Sequence, residues 1–249
     1  MSHSPLTVDE LVATLQRTSL PTLLVEGTTD ASVYRHLEER FGLTGGTVLP
    51  CNGRNCLLDL HRRRSEFRGL KTAFLADRDL WLFGVVPPEF SDVIFTNGYS
   101  IENDVLDGES VERLLDSHEL AEFRTVLDEI CRWFAFEVGE YLRGVNVALE
   151  HHVNRFVPLG ASRLDSGWCA ERGFREPPSQ LYNEIRVDYR QKLRGKQLLQ
   201  CLVRLLSAEG RSSKFSRANL LEIAAKSNEH KRLDSLAGAV GNRLHGHSA

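Results

Sequence analysis

The residues best placed for chemistry are carboxylates, and they recur at one kind of position. Glu26 closes the apolar run 22–25. Asp77 and Asp79 close the run 71–76 as an Asp-Arg-Asp triplet. Glu102 stands a few residues past the run 92–96, and Asp30 falls one turn into the helix expected after Glu26. If these runs are parallel neighbouring strands, the acids converge at one edge of a sheet. Several carboxylates in a partly desolvated cleft either protonate or share a cation. All are hard oxygen donors, with no His or Cys beside them in sequence, so the cation they suit is Mg²⁺, with Mn²⁺ as a substitute, rather than Zn²⁺. In extended backbone, residues i and i+2 point the same way, so Asp77 and Asp79 would both face the cleft and Arg78 away. Two metals about 3.5–4 Å apart in such a site activate a water and neutralise the leaving oxygen of a phosphodiester. Acids also favour strand ends and helix starts for structural reasons alone. That covers any single position here but fits the set less well.

The elements that would position these acids read as α/β over the first hundred residues. A lead-in helix is expected over 7–18, with Thr7 as N-cap and Glu10 closing a capping box. Strands are expected at 22–26, 47–51, 71–76 and 92–96, with helices over 30–41 and 54–67 between them. Short apolar strands alternating with helices predict a mostly parallel sheet flanked by helices, with functional groups beyond its carboxyl ends. From about residue 110 the pattern turns helical: one or two amphipathic helices over 110–144, an irregular stretch over 158–182, a long helix over 183–208 and another over 216–227, with Ser216 as N-cap. The tail 241–249 is expected to fray. The domain reading is an α/β core at 20–106, a helical insertion at 107–185 and a basic helical region at 186–249.

Composition narrows the class further. The 249 residues are 41% hydrophobic and 26% charged, the balance of a folded globular chain. No apolar run approaches the roughly 20 residues that span a bilayer, and the N-terminus carries no secretory pattern. Five cysteines without a Cys-x-x-Cys pair fit reduced thiols in a cytoplasm. The net charge of −3 conceals an asymmetry, because residues 186–249 carry 13 Lys and Arg against 5 Asp and Glu. Such a basic quarter marks either a surface for nucleic acid or an acidic partner, or a pair of ordinary solvated helices. The basic run Arg62–Arg64, with Arg68 and Lys71, reads either as a grip on a nucleic-acid backbone or as a charged helix face, and the turn Asn52–Asn55 either as a phosphate-touching turn at a helix start or as a plain strand-to-helix turn. No dinucleotide or P-loop motif accompanies the strands. His151 and His152 read as surface, and Trp81, Trp133 and Trp168 as packing.

Taken together, LLVEGTTD at 23–30, the strand running into DRD at 72–79, and YSIEND at 99–104 resemble a Toprim domain. This fold is shared by topoisomerases, bacterial primases and overcoming-lysogenization-defect (OLD) nucleases. The order of EG-x-x-D, an NG segment, DRD and YSIEN is closer still to the small Toprim effectors that stand beside an ABC-type ATPase in the PARIS antiphage system. The Gly195-Lys196 pair in RGKQLL is similar to that branch too. The resemblance implies a metal-dependent nuclease held by an ATPase sensor and acting on tRNA. Glu26, Asp77 and Asp79 would then be metal ligands, with Glu26 a general base. Asp30 and Glu102 would complete a second metal or its outer shell, and Lys196 would stabilise charge on the scissile phosphate. Asp30 stands where many OLD-type nucleases have Glu, which would move the second metal outward or place a water between. RNA and DNA remain open on the acids alone, and a catalytically idle docking module is the reading from another class. Topoisomerase and primase activities are disfavoured by length. A homodimer or a complex with the ATPase is the expected active assembly.

Overall fold

A computed structural model describes residues 6–27, 33–35, 38, 40, 42, 45–108, 111–147, 149–226 and 231–245. The chain forms two compact units. One comprises residues 1–78, 86–97 and 230–249, and the other residues 79–85 and 98–229.

The first unit is built on a four-stranded, all-parallel sheet of β1 (Thr22–Val25), β2 (Thr47–Pro50), β3 (Thr72–Ala76) and β4 (Ile94–Phe95), in the order β2-β1-β3-β4. The α/β class and the parallel sheet expected from the alternation are both present. Every residue of β1 is buried, as a central strand covered on both faces requires. The Arg54–Arg62 helix packs on β3, and the Lys231–His245 helix packs on β1, β3 and β4. Burying a side chain such as Leu24 contributes about 1.5–3 kcal/mol relative to exposure. The lead-in helix runs Val8–Leu15, with the Thr7/Glu10 capping box as read. Of the helix expected over 30–41, residues 33–35 are described and helical.

Two expectations in this unit change. The fourth strand keeps only Ile94 and Phe95, because the Val93 N–H is spent on Phe90 in a 3-10 turn and pairing with β3 starts at Leu75 opposite Ile94. The tail does not fray from residue 241: Leu244 is buried and the helix continues to His245, whose Nε2 lies 2.8 Å from the Gly42 carbonyl oxygen.

The second unit is helical. The one or two helices expected over 110–144 are a single 26-residue α-helix, Ser117–Leu142, which Asp116 caps with Glu119 closing the box. The stretch 158–182 contains the Ser166–Glu171 helix and the start of Ser179–Val187. The long helix expected over 183–208 breaks into Ser179–Val187, Tyr189–Lys192 and Gly195–Leu206. The break has a cause. The Gln191 carbonyl accepts from the Tyr99 N–H, and the Arg190 and Leu193 carbonyls accept from Asn103 Nδ2. Carbonyls that a continuous helix would use internally hold the 98–103 segment instead. The last helix of this unit runs Arg217–Ala225, with Ser216 as N-cap as expected.

Candidate functional site

In the sheet unit, strand order decides where a site can stand. The connection from β1 leads to β2 on one side of the sheet, and the connection from β3 leads to β4 on the other. The crevice beyond the carboxyl ends of β1 and β3 is therefore the topological switch point, where open parallel sheets bind ligands. Glu26 follows β1 and Asp77 follows β3. They meet there: Glu26 Oε1 accepts the Asp77 backbone N–H at 3.0 Å. Glu26 is a partly exposed acid, with 15% of its side chain accessible.

The turn after β2 completes this corner. Asn52 has φ 59° and Gly53 φ 103°, left-handed conformations in which a β-carbon is costly and glycine is at ease. They swing the chain so that the Gly53 N–H reaches the Glu26 carbonyl at 2.6 Å and the Arg54–Arg62 helix starts beside the acids. Arg54 Nη1 donates to the Asp77 carbonyl at 3.0 Å and lies 3.9 Å from Glu26 Oε1. Cys51 is fully buried beneath this turn, and burial raises its thiol pKa well above the ordinary range, so it is an inert packing group.

The other predicted residues divide as follows. Asp30 lies outside the described residues. Asp79 belongs to the helical unit, where its N–H donates to the Tyr99 carbonyl at 2.7 Å. Its φ of 50° opens the 3-10 turn Asp79–Phe83. The triplet is thus not extended through Asp79, and the alternation that would aim Asp77 and Asp79 to one side does not apply. Glu102 lies in the short Ile101–Val105 helix, 1% exposed, and its Oε1 takes the Arg217 guanidinium at 2.5 Å, while Oε2 has no hydrogen-bond partner.

Gly195, next to Lys196, packs directly on this segment. A β-carbon there would lie 2.5 Å from Ser100 Oγ, 2.7 Å from Asn103 Oδ1 and 2.8 Å from the Glu102 β-carbon. The YSIEND and RGK stretches therefore meet in one unit, with Lys196 half-buried in the first turn of Gly195–Leu206. Asn103 is the joint. It caps Ser100 through Oδ1 and holds Arg190 and Leu193 through Nδ2.

Two cations escaped the sequence reading as partners of acids, namely Arg54 and Arg217. Arg54 was visible only as part of a turn, and Arg217 lies 115 positions from Glu102 with no local signal. The basic runs are largely engaged within the chain. Arg63 pairs with Asp9 and Glu66, and Arg64 with Asp92. Arg190 pairs with Glu112 and Arg211 with Glu119.

Among the described residues, no group of three or more His, Cys, Asp or Glu side chains is placed to hold a metal ion. Glu26 and Asp77 are the two that stand together. As hard oxygen donors they suit Mg²⁺, which is commonly held by one or two carboxylates with water completing its sphere. No family model matches the chain, and no curated protein matches it. Among the described residues no helix is long and apolar enough to cross a membrane.

Proposed function

We propose that this chain is a Mg²⁺-dependent phosphodiesterase that cuts RNA, with tRNA as its substrate, and that it serves as the toxic effector of an ATPase-controlled antiphage system, working in the cytoplasm as a dimer or with its ATPase. The observation that carries the reading is the meeting of Glu26 and Asp77 at the switch point of a parallel sheet. The resemblance to Toprim effectors supplies the substrate and the setting. In this reading Glu26 and Asp77 would hold the metal, which when bound lowers the pKa of water and neutralises charge on the phosphate. The chain's own groups have distinct tasks. Glu26 accepts the proton of the attacking water. The Asp77 N–H fixes the rotamer of Glu26. Arg54, beside both acids, steadies the phosphate.

The test is incubation of the purified chain with total tRNA and with plasmid, in Mg²⁺ or Mn²⁺, beside Glu26→Ala. Metal-dependent cuts in tRNA that vanish in the variant support the reading. Cuts confined to plasmid assign DNA as the substrate, and undiminished cutting of tRNA by Glu26→Ala overturns the role of the acids.

One observation favours a second reading, an idle docking module. Arg54 already supplies a cation 3.9 Å from Glu26, and a guanidinium in that place can substitute for a metal structurally. That module predicts undiminished cellular toxicity from Glu26→Ala, whereas the phosphodiesterase predicts its loss.

A further inference from the structure

The helical unit contains a cavity of about 320 Å³ between the Ser117–Leu142 helix, the Glu112–Leu114 turn and the chain around the break at Asp188. Four arginines from these elements line it, Arg113, Arg124, Arg186 and Arg190, against a single acid, Glu112. Glu112 is already spent. Its Oε1 accepts from the Tyr189 hydroxyl at 2.7 Å and from Arg190 Nε at 2.9 Å, and its Oε2 accepts from Arg190 Nη2 at 2.7 Å. Arg190 and Glu112 therefore cancel, and the other three arginines set the sign of the site. A second carboxylate, Asp128, lies outside the lining and takes the Nε of Arg186. With both acids counted, four arginines still face two carboxylates.

Two of these guanidiniums have donors in hand. Arg124 is exposed and makes no hydrogen bond or ion pair among the described residues. Arg186 commits only its Nε, so its two Nη groups make no hydrogen bond among the described residues, although its side chain is only 27% exposed. Beneath them the floor is apolar. Phe123 and Leu127 are each 1% exposed, and Phe123 sets its edge against Tyr189 at 6.2 Å. The Arg186 and Arg190 guanidiniums stand 5.8 and 5.4 Å from the centre of the Tyr189 ring, so that ring braces the cations and is not a stacking surface. Open cations over a floor of low dielectric pull strongly on an anion. The direction of the donors narrows which anion. A carboxylate has two coplanar oxygens and matches one guanidinium fork, whereas a phosphoryl group is tetrahedral and accepts from guanidiniums on different sides. Arg124 and Arg186 come from different helices. The volume is at the lower end for a ligand cavity, room for a phosphate with its sugar, and the exposed Arg113 and Arg124 leave the cavity open where a strand would run on.

We infer that this cavity holds a backbone phosphate of an RNA strand, gripped by Arg124 and Arg186 with Arg113 beside them, and so anchors RNA on the helical unit. The Arg190–Glu112 pair positions Tyr189 and does not itself bind. The site also gives a task to the start of the basic stretch 186–249, where Arg186 stands. The choice of RNA as the bearer of the phosphate rests on the phosphodiesterase reading. The anion site does not, because it uses neither Glu26 nor a metal.

The experiment is fluorescence-anisotropy titration of labelled tRNA with the full chain in EDTA, so that nothing is cut, at several KCl concentrations. Arg124→Ala and Arg186→Ala are each expected to weaken binding roughly fivefold and to lower the slope of log K against log [KCl] by about one. Arg17→Ala, which removes an exposed arginine of the sheet unit, is expected to bind as the parent does. Arg186→Ala leaves Asp128 without its partner. If that variant misfolds, the exposed Arg124→Ala still decides. Parental binding by Arg124→Ala, or equal weakening by Arg17→Ala, overturns the inference. So does displacement of tRNA by a glutamate peptide as readily as by unlabelled RNA, which assigns the cavity to an acidic protein. Tight binding of AMP, or of a DNA strand, by a chain that does not hold tRNA overturns it as well. Arg124-dependent binding of tRNA with no cutting in Mg²⁺ supports the anchor and counts against the phosphodiesterase, so the two readings fail separately.

Discussion

The two units treat ionisable side chains in opposite ways. The sheet unit keeps its acids at the rim, where Glu26 is partly open, takes a backbone N–H and has Arg54 for company. What it buries is a histidine: His61 is 1% exposed, and neither ring nitrogen has a hydrogen-bond partner. The helical unit buries its acids instead. Glu102 is sealed against Arg217, Asp104 accepts the Gly98 N–H at 2.8 Å, and Glu137 is left with an open oxygen. A carboxylate at a strand end keeps its charge cheaply and is available to a cation or a substrate. A carboxylate inside a helical packing must be paired, be neutral, or await a ligand. Residue type alone does not separate these cases, but placement does.

The largest expected effect tests the rim. Glu26→Ala is predicted to lower metal-dependent cleavage by at least a thousandfold, measured as initial rate on labelled tRNA, with little change in melting temperature. A hydrogen bond to a partly exposed acid contributes about 1 kcal/mol to folding, so activity and stability separate at this residue. At Glu102 the balance reverses. Arg217→Ala leaves a fully buried carboxylate without its cation and is predicted to cost about 3 kcal/mol in urea unfolding. Adding Glu102→Gln to that variant is expected to restore most of the loss. If the double variant is as unstable as the single one, the pair is not what stabilises this corner.

These examples also show what could be read in advance. The parallel sheet, its carboxyl ends and the Glu26/Asp77 corner were legible because strand and helix periodicities are local and the switch-point rule converts strand order into a location. The capping box at Thr7 and the N-cap at Ser216 were legible for the same reason. The break at 188–194 was not, because its cause is Asn103 and Tyr99, some ninety residues upstream, claiming carbonyls that a helical pattern assigns to the helix itself. Arg217 and Arg54 as partners, and Glu137 as a buried acid, depend on tertiary placement that spacing does not encode. The left-handed Asp79 turned an argument about extended alternation into the wrong geometry, since a single positive φ cancels the period of two.

Two intermediate effects probe the helical unit. Glu137 titrates high, at about 8, because burial penalises its charge more than the Trp133 indole N–H, Arg194 and Arg172 favour it. The unfolded carboxyl ionises near 4.5, so between these values the folded state holds more protons and stability falls as pH rises. Glu137→Gln is predicted to remove that slope and to stabilise the chain by roughly 2 kcal/mol at pH 9, read from thermal melts across pH. Gly195→Ala is expected to cost about 1–2 kcal/mol, because its β-carbon would meet Ser100 Oγ, Asn103 Oδ1 and the Glu102 β-carbon, and the first two are held in place by hydrogen bonds. Melting of the alanine variant at the parent temperature would mean that the YSIEND and RGK stretches are not closely packed.

The smallest effect is the mirror image of Glu137 and belongs to the sheet unit. His61 sits edge-on to Phe74 at 5.2 Å and against Phe90 at 5.9 Å. Its pKa is pushed below the ordinary 6.5, first by burial and then by the neighbouring Arg64, with Arg243 and Arg62 acting the same way and Asp92 against them. Here the unfolded state binds the proton more readily. Stability from the neutral ring is therefore present above pH 6.5 and is lost as pH falls below that value. His61→Phe offers the same aromatic contacts without a titrating nitrogen and is predicted to flatten the acid side of the stability profile by about 1 kcal/mol between pH 7 and pH 5. The two profiles discriminate sharply when measured side by side. The parent loses stability toward acid through the sheet unit and toward base through the helical unit, and each single variant should straighten only its own side. If His61→Phe leaves the acid limb unchanged, the ring is solvated or paired in solution, and the contrast between the units rests on Glu137 alone.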